Sequence, residues 1–179
     1  MNKAIFIDKD GTLIKDVPYN VNPALIDFEE YAFESLYLLQ QKGYYVIIVS
    51  NQPGIALGYF KEDELKGVEE KIKNSLLQNK VNLNGFYYCP HAPADNCNCR
   101  KPRPGMFFKA AKDLEIDLSK SWMIGDILND VEAGRISDCK TILIDNGNET
   151  EWIWSRQRIP HFIAHNLKAA SEIIMLNAS

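Results

Sequence analysis

The stretch KAIFIDKDGT, residues 3–12, decides how the rest of the chain is read. Ala4, Ile5, Phe6 and Ile7 run without the polar alternation of a half-exposed strand, so the pattern predicts a strand buried on both faces. The run ends on two aspartates, Asp8 and Asp10, and then Gly11. Residues two apart at the edge of a loop can aim both side chains into one crevice, and Gly11 lets the backbone turn sharply there. Two such carboxylates can divide labour, one ionised as nucleophile or metal ligand and the other protonated as an acid. An ordinary Asp-Gly turn accounts for the same residues. The choice depends on what else the chain brings to that crevice.

Further apolar runs at 44–50, 85–88, 121–126, 140–145 and 162–164 read as strands. Helical periodicity fills the spaces between them, at 27–42, 61–80, 104–115, 129–137 and 167–176. In the first of these, Phe28, Tyr31, Ala32, Leu36 and Leu39 share a face and Gly43 stops the helix. Strand and helix in alternation, with uniformly apolar strands, predict a mainly parallel sheet covered on both faces. Right-handed crossovers make that α/β chain a Rossmann-like three-layer α/β/α sandwich. The gaps from Asp10 to Ser50 and from Asn51 to Lys101 leave no room for a large cap domain, so a single domain over 1–179 is expected. Ligands of such sheets sit at the carboxyl ends of the strands. Asp8, Ser50 and Asp126 each stand where a strand ends.

The 179 residues carry a net charge of −4, and a pI near 5.4 argues against a nucleic-acid partner, which would need a basic face. No apolar stretch approaches the roughly 20 residues that span a bilayer. Met1-Asn2-Lys3 runs straight into the first strand, the pattern of a chain without a leader, and the expected home is the cytoplasm. A Cys/His cluster there reads as a metal site before a disulfide framework. A monomer is the simplest expectation.

Gly125-Asp126-Ile-Leu-Asn-Asp130 supplies two more carboxylates at a strand-to-helix junction, where they can complete an oxygen-ligand Mg²⁺ site with Asp8. A helix N-cap is the competing use of Asp126 or Asn129, and Asp130 can serve as a cap or in the outer shell of the metal. Ser50-Asn51-Gln52, ending the second strand, and Lys101 beside such a site make a cradle for a phosphoryl group, whose transfer is mostly positioning and charge neutralisation. Cys89-x-His91 and Cys97-x-Cys99 offer four soft ligands suited to tetrahedral Zn²⁺. With all four positions filled by protein, the zinc would be structural. Buried free thiols are the alternative, although Asp95, Asn96 and Asn98 are poor company for an apolar cluster. Ordering a loop costs about 1–2 kcal/mol per residue, so zinc would serve to hold Arg100 and Lys101 in one geometry. Cys139 is expected as a small core residue, and His161 and His165 at strand ends. One of Trp152 and Trp154 is expected to pack inward.

Taken in order, Asp8-Lys-Asp10-Gly-Thr12, Ser50-Asn51, Lys101 and Gly125-Asp126-xxx-Asp130 resemble the four motifs of the haloacid dehalogenase superfamily of phosphotransferases. The zinc-loop pattern and Arg100-Lys101-Pro102 are similar to the subfamily of heptose 1,7-bisphosphate phosphatases and histidinol-phosphate phosphatases. The resemblance implies Asp8 as the nucleophile that forms an aspartyl-phosphate, and Asp10 as the acid and then the base. It implies Mg²⁺ on Asp8, the Asp10 carbonyl and Asp126, and Zn²⁺ on Cys89, His91, Cys97 and Cys99. Ser50 and Lys101 would hold phosphoryl oxygens, and Asp16, Tyr19, Asn51 and Arg100 would contact a small phosphorylated substrate, a sugar phosphate or histidinol phosphate. Ser50 stands where the family usually has Thr and keeps the hydroxyl. Leu57 and Ile127 stand where it often carries cations, which weighs against a second phosphate on the substrate.

Overall fold

The computed structural model describes residues 1–177; residues 178 and 179, the end of the expected domain, lie outside the described residues. Six parallel strands form the sheet: β1 Lys3–Ile7, β2 Tyr44–Asn51, β3 Leu83–Cys89, β4 Trp122–Gly125, β5 Lys140–Ile144 and β6 Phe162–Ala164. Four helices connect successive strands, α1 Ala32–Gln41, α2 Glu62–Gln78, α3 Gly105–Leu114 and α4 Leu128–Ile136, and α5 Leu167–Asn177 follows β6. The strand order is β3-β2-β1-β4-β5-β6, the doubly wound order of Rossmann sheets.

Side chains of β1 alternate between two cores, as a strand buried on both faces requires. Ile5 and Ile7 pack with Leu36 and Leu39 of α1, Ile72 of α2 and Ile174 of α5. Ala4 and Phe6 face the opposite layer with Phe107 and Ala110 of α3 and Ala133 of α4. β1 pairs with β2 on one side and β4 on the other. The chain winds outward from this pair in both directions, so the loops after β1 and β4 diverge and open a crevice. Among the described residues no helix is long and apolar enough to cross a membrane.

Helix α1 starts at Ala32, five residues later than the periodicity implied. Phe28 serves a different element: residues 13–15 pair with 27–29 through an Ile14–Phe28 bridge and the bonds Lys15 N–H to Asp27 O and Glu29 N–H to Leu13 O. Tyr31, in the left-handed region at φ 65°, then turns the chain into the helix. Trp152 and Trp154 also depart from expectation. Both are exposed, with ring centroids 5.5 Å apart, so each ring covers the other in place of an inward-packed partner. Cys139 is buried in the α3 layer as expected.

Phe107 is fully buried with its ring 4.8 Å from Phe6. Phe107→Ala is expected to destabilise the fold by about 3–5 kcal/mol, seen as a lower denaturant midpoint at unchanged slope.

Candidate active site

The end of β1 is tied to β4 by the Asp8 amide, which donates to the Ile124 carbonyl at 3.0 Å. That bond leaves Asp8 and Asp126 on adjacent strand ends. One carboxylate oxygen from each of Asp8, Asp126 and Asp130 can be chosen so that all three lie within 4.8 Å of one another. The expected convergence of the first and last motifs is therefore present.

Lys101 bridges two members of this group. Its ammonium lies 2.5 Å from Asp8 Oδ1 and 2.6 Å from Asp130 Oδ1, and donates to the Val49 carbonyl at 2.8 Å. The lysine is only 2% exposed. Burial alone would lower its pKa, but Asp130 and Asp8 outweigh burial and raise it, so the ammonium stays charged. The carboxylates respond in the opposite direction. Burial, with Asp130 and Asp10 adding to it and Lys101 opposing, pushes Asp8 up to about 7. Burial and the neighbouring Asp8 push Asp126 up to about 6. Three carboxylates against one ammonium leave an excess of negative charge in a buried space, and a divalent cation is the counterion that would relieve it. Asp130 has one oxygen on Lys101 and accepts the Ile127 amide with the other, at 3.3 Å. Asp8 and Asp126 are thus the pair best placed to close on a metal.

Asn51 holds the backbone of Lys101 at both ends of one residue. Its Oδ1 accepts the Lys101 N–H at 2.9 Å and its Nδ2 donates to the Lys101 carbonyl at 3.0 Å. Asn51 also lines a crevice with Lys9, Asp10, Asp16, Tyr19 and Gln52, which unites three of the four expected substrate contacts. Arg100, the fourth, is not part of that lining; its Nη1 is buried without a hydrogen-bond partner among the described residues.

The cysteines meet as the spacing implied. Sγ separations are 3.2 Å for Cys89–Cys99, 3.6 Å for Cys89–Cys97 and 3.7 Å for Cys97–Cys99. His91 Nδ1 lies 3.4 Å from Cys89 Sγ and 3.3 Å from Cys99 Sγ. A disulfide needs about 2.05 Å, whereas bonds of about 2.3 Å to a tetrahedral zinc put sulfurs roughly 3.8 Å apart. The donor set fits zinc. Burial opposes ionisation of all three thiols and raises Cys89 and Cys99, but amide N–H groups led by Arg100 hold the Cys97 thiol lowered, at about 7. A low-lying thiol suits a thiolate ligand.

Several residues of the site were not singled out from the sequence. Thr12 Oγ1 and Asn148 Nδ2 donate to the two oxygens of Asp126 at 3.1 and 2.7 Å. Asn146 donates to the Gly11 carbonyl at 2.8 Å. Lys9 Nζ and Gln52 Nε2 hold the two oxygens of Asp10 at 2.7 and 3.0 Å. Thr12 and Lys9 sit inside the recognised motifs, which was a usable signal, and Gln52 was read as part of the phosphoryl cradle but not as a partner of Asp10. Asn146 and Asn148 lie on the loop after β5 and carry none. Gly11 adopts φ 82°, and a Cβ there would run into the Asp126 carboxylate and the Asn148 amide. The turn therefore needs glycine for conformation and for room.

A doubly wound sheet whose switch point gathers carboxylates, a hydroxyl and a buried lysine defines a phosphohydrolase of haloacid dehalogenase type. A family model described as HAD-hyrolase-like matches residues 98–170. The D-glycero-beta-D-manno-heptose-1,7-bisphosphate 7-phosphatase of Pasteurella multocida is 42% identical over 154 residues, covering 82% of this chain and 84% of its own. The enzyme of the same name from Helicobacter pylori J99 is 37% identical, covering 86% and 90%. The crystal structure of D,D-heptose 1,7-bisphosphate phosphatase from B. bronchiseptica, complexed with magnesium and phosphate, superposes with a TM-score of 0.83 at 27% identity, covering 98% of this chain and 99% of that one. The chain belongs to this family of phosphoric monoester hydrolases, the heptose-bisphosphate phosphatases of the haloacid dehalogenase superfamily.

Replacing Lys101 by Met strands the buried Asp8 and Asp130 without their shared cation. The metal-free protein is expected to lose about 3–5 kcal/mol of stability, measured by denaturant unfolding, and to lose turnover as well.

Proposed function

We propose that this single domain, residues 1–179, hydrolyses the 7-phosphate of D-glycero-D-manno-heptose 1,7-bisphosphate through an aspartyl-phosphate. The observation that carries the reading is the clustering of Asp8, Asp126 and Asp130 at the switch point of the sheet, with Lys101 paired to Asp8 and Asp130. The names and the full-length similarity of the relatives support the substrate.

Asp8 attacks phosphorus with one carboxylate oxygen, and the bond from phosphorus to the sugar oxygen breaks. Asp10 gives its proton to that departing oxygen, which would otherwise leave as a poor, strongly basic alkoxide. Asp10 then takes a proton from water as the water attacks phosphorus, the Asp8–phosphate bond breaks, and inorganic phosphate leaves. Splitting one displacement into two lowers each barrier. Lys101 and Ser50 hold the phosphoryl oxygens throughout, so the charge that develops on them meets donors already in place.

Mg²⁺ on Asp8, Asp126 and the Asp10 carbonyl would, when bound, offset the repulsion between an anionic nucleophile and a phosphate. Zn²⁺ on Cys89, His91, Cys97 and Cys99 would brace the loop that presents Arg100 and Lys101. Asp16, Tyr19 and Asn51 line the crevice beside Asp10 and serve as contacts to the sugar. The buried, unpartnered Nη1 of Arg100 favours an anionic group of the substrate as its missing partner. Leu57 is exposed and Ile127 precedes α4, so any second phosphate must find its cations elsewhere. The free thiols suit a reducing compartment, the cytoplasm, where the enzyme works as a monomer on a soluble phosphorylated metabolite.

A Mg²⁺-supplemented panel of both anomers of the heptose bisphosphate, fructose 1,6-bisphosphate and histidinol phosphate tests the substrate. The heptose ester is expected to have the highest kcat/KM, and preference for another ester would refute the assignment. Cys97→Ser should release zinc, measured by metal analysis, and lower kcat. Full zinc and full activity in that variant would remove the bracing role.

A further inference from the structure

Gln52 follows β2 by one residue, and its side chain is 6% exposed. Its single amide nitrogen touches two groups of the proposed reaction. Nε2 donates to Ser50 Oγ at 2.8 Å and to Asp10 Oδ2 at 3.0 Å. A primary amide carries two N–H bonds, so each partner takes one and none is left over. The Gln52 backbone N–H donates to the Cys89 carbonyl at 2.8 Å, which ties the residue to the end of β3 where the cysteine loop begins.

The direction of these bonds has chemical content. The Ser50 hydroxyl accepts from Gln52, so its own proton must point to a different acceptor. A hydroxyl has one proton to give, and the phosphoryl group bound beside it is the acceptor the reaction supplies. The Asp10 carboxylate is gripped on both oxygens, by Gln52 on one and by the buried Lys9 ammonium, 2.7 Å away, on the other. Its plane is therefore set before substrate arrives, and each oxygen keeps a lone pair for the transferred proton.

We propose that Gln52 is a positioning residue for phosphoryl transfer. It holds the proton-transfer carboxylate Asp10 and the phosphoryl-binding hydroxyl Ser50 at a fixed separation, and it turns the Ser50 proton toward the phosphate. The inference rests on the roles given to Asp10 and Ser50 in the proposed function.

The test uses full-length enzyme with Mg²⁺ and two esters that differ in leaving group. With p-nitrophenyl phosphate the departing phenolate is weakly basic and needs little help from Asp10, whereas water attack on the aspartyl-phosphate still does. Gln52→Met keeps length and bulk but removes both donors. It is expected to release a rapid burst of p-nitrophenolate, stoichiometric with enzyme, followed by steady-state turnover roughly 10–100-fold below the parent. With fructose 1,6-bisphosphate or the heptose ester, the burst of phosphoenzyme itself should disappear. Gln52→Glu should be slower than Gln52→Met, because the new carboxylate repels Asp10 and draws the Ser50 proton away from the phosphate. Should the Met variant not fold, Gln52→Asn, an amide too short to reach both partners, is expected to show the same split.

A Met variant that matches the parent on both esters overturns the proposal. So does one whose burst and steady state fall by the same factor, since a packing defect would slow both alike. Parent protein that hydrolyses no ester at all would refute the phosphatase reading and this inference with it. An active parent beside an unaffected variant refutes Gln52 alone.

Discussion

Lys101 carries a full charge almost out of contact with water, which costs several kcal/mol unless it is matched at short range. The match comes from Asp8, just after β1, and Asp130 on α4, segments far apart in the chain, so the ion cluster exists only when the two halves of the sheet are joined. The same cluster is unbalanced toward negative charge. It folds as a binding site for something cationic, and its carboxylates hold protons more tightly until that charge arrives. Stability and reactivity thus draw on one arrangement, and neither can be altered without the other.

The scaffold around that cluster is stiff in the places where geometry decides rate. Asn51 fixes the backbone of Lys101, Thr12 and Asn148 fix Asp126, and Lys9 with Gln52 fix Asp10. Such preorganisation removes the reorganisation that water would otherwise have to undergo during the reaction. The cysteine loop adds a second brace, because it leads directly into Arg100 and Lys101 and its four donors already meet at ligand-like separations.

The alternation of apolar runs and helical periods made the parallel sheet legible, because strands buried on two faces leave no polar positions to confuse the pattern. The aspartates were legible because the ends of those strands mark the crevice. Phe28 misled, since an apolar residue at helical spacing serves equally well in a two-residue pairing with Ile14, and periodicity does not distinguish them. The tryptophan pair misled for a similar reason. Two rings that shield each other satisfy the same hydrophobic demand as one ring buried in the core.

By itself the sequence determined the layer architecture, the chemical type of the site and the four soft donors of the loop, because each of these depends on local composition and spacing. Only the tertiary structure decided that Asp130 pairs with Lys101, that Asn51 grips a backbone, that Asn146 reaches back to the first loop and that Asn148 reaches Asp126. These are contacts between strand ends and loops brought together by the winding of the sheet. A hydrogen bond or ion pair is made by distance and direction, and separation along the chain encodes neither.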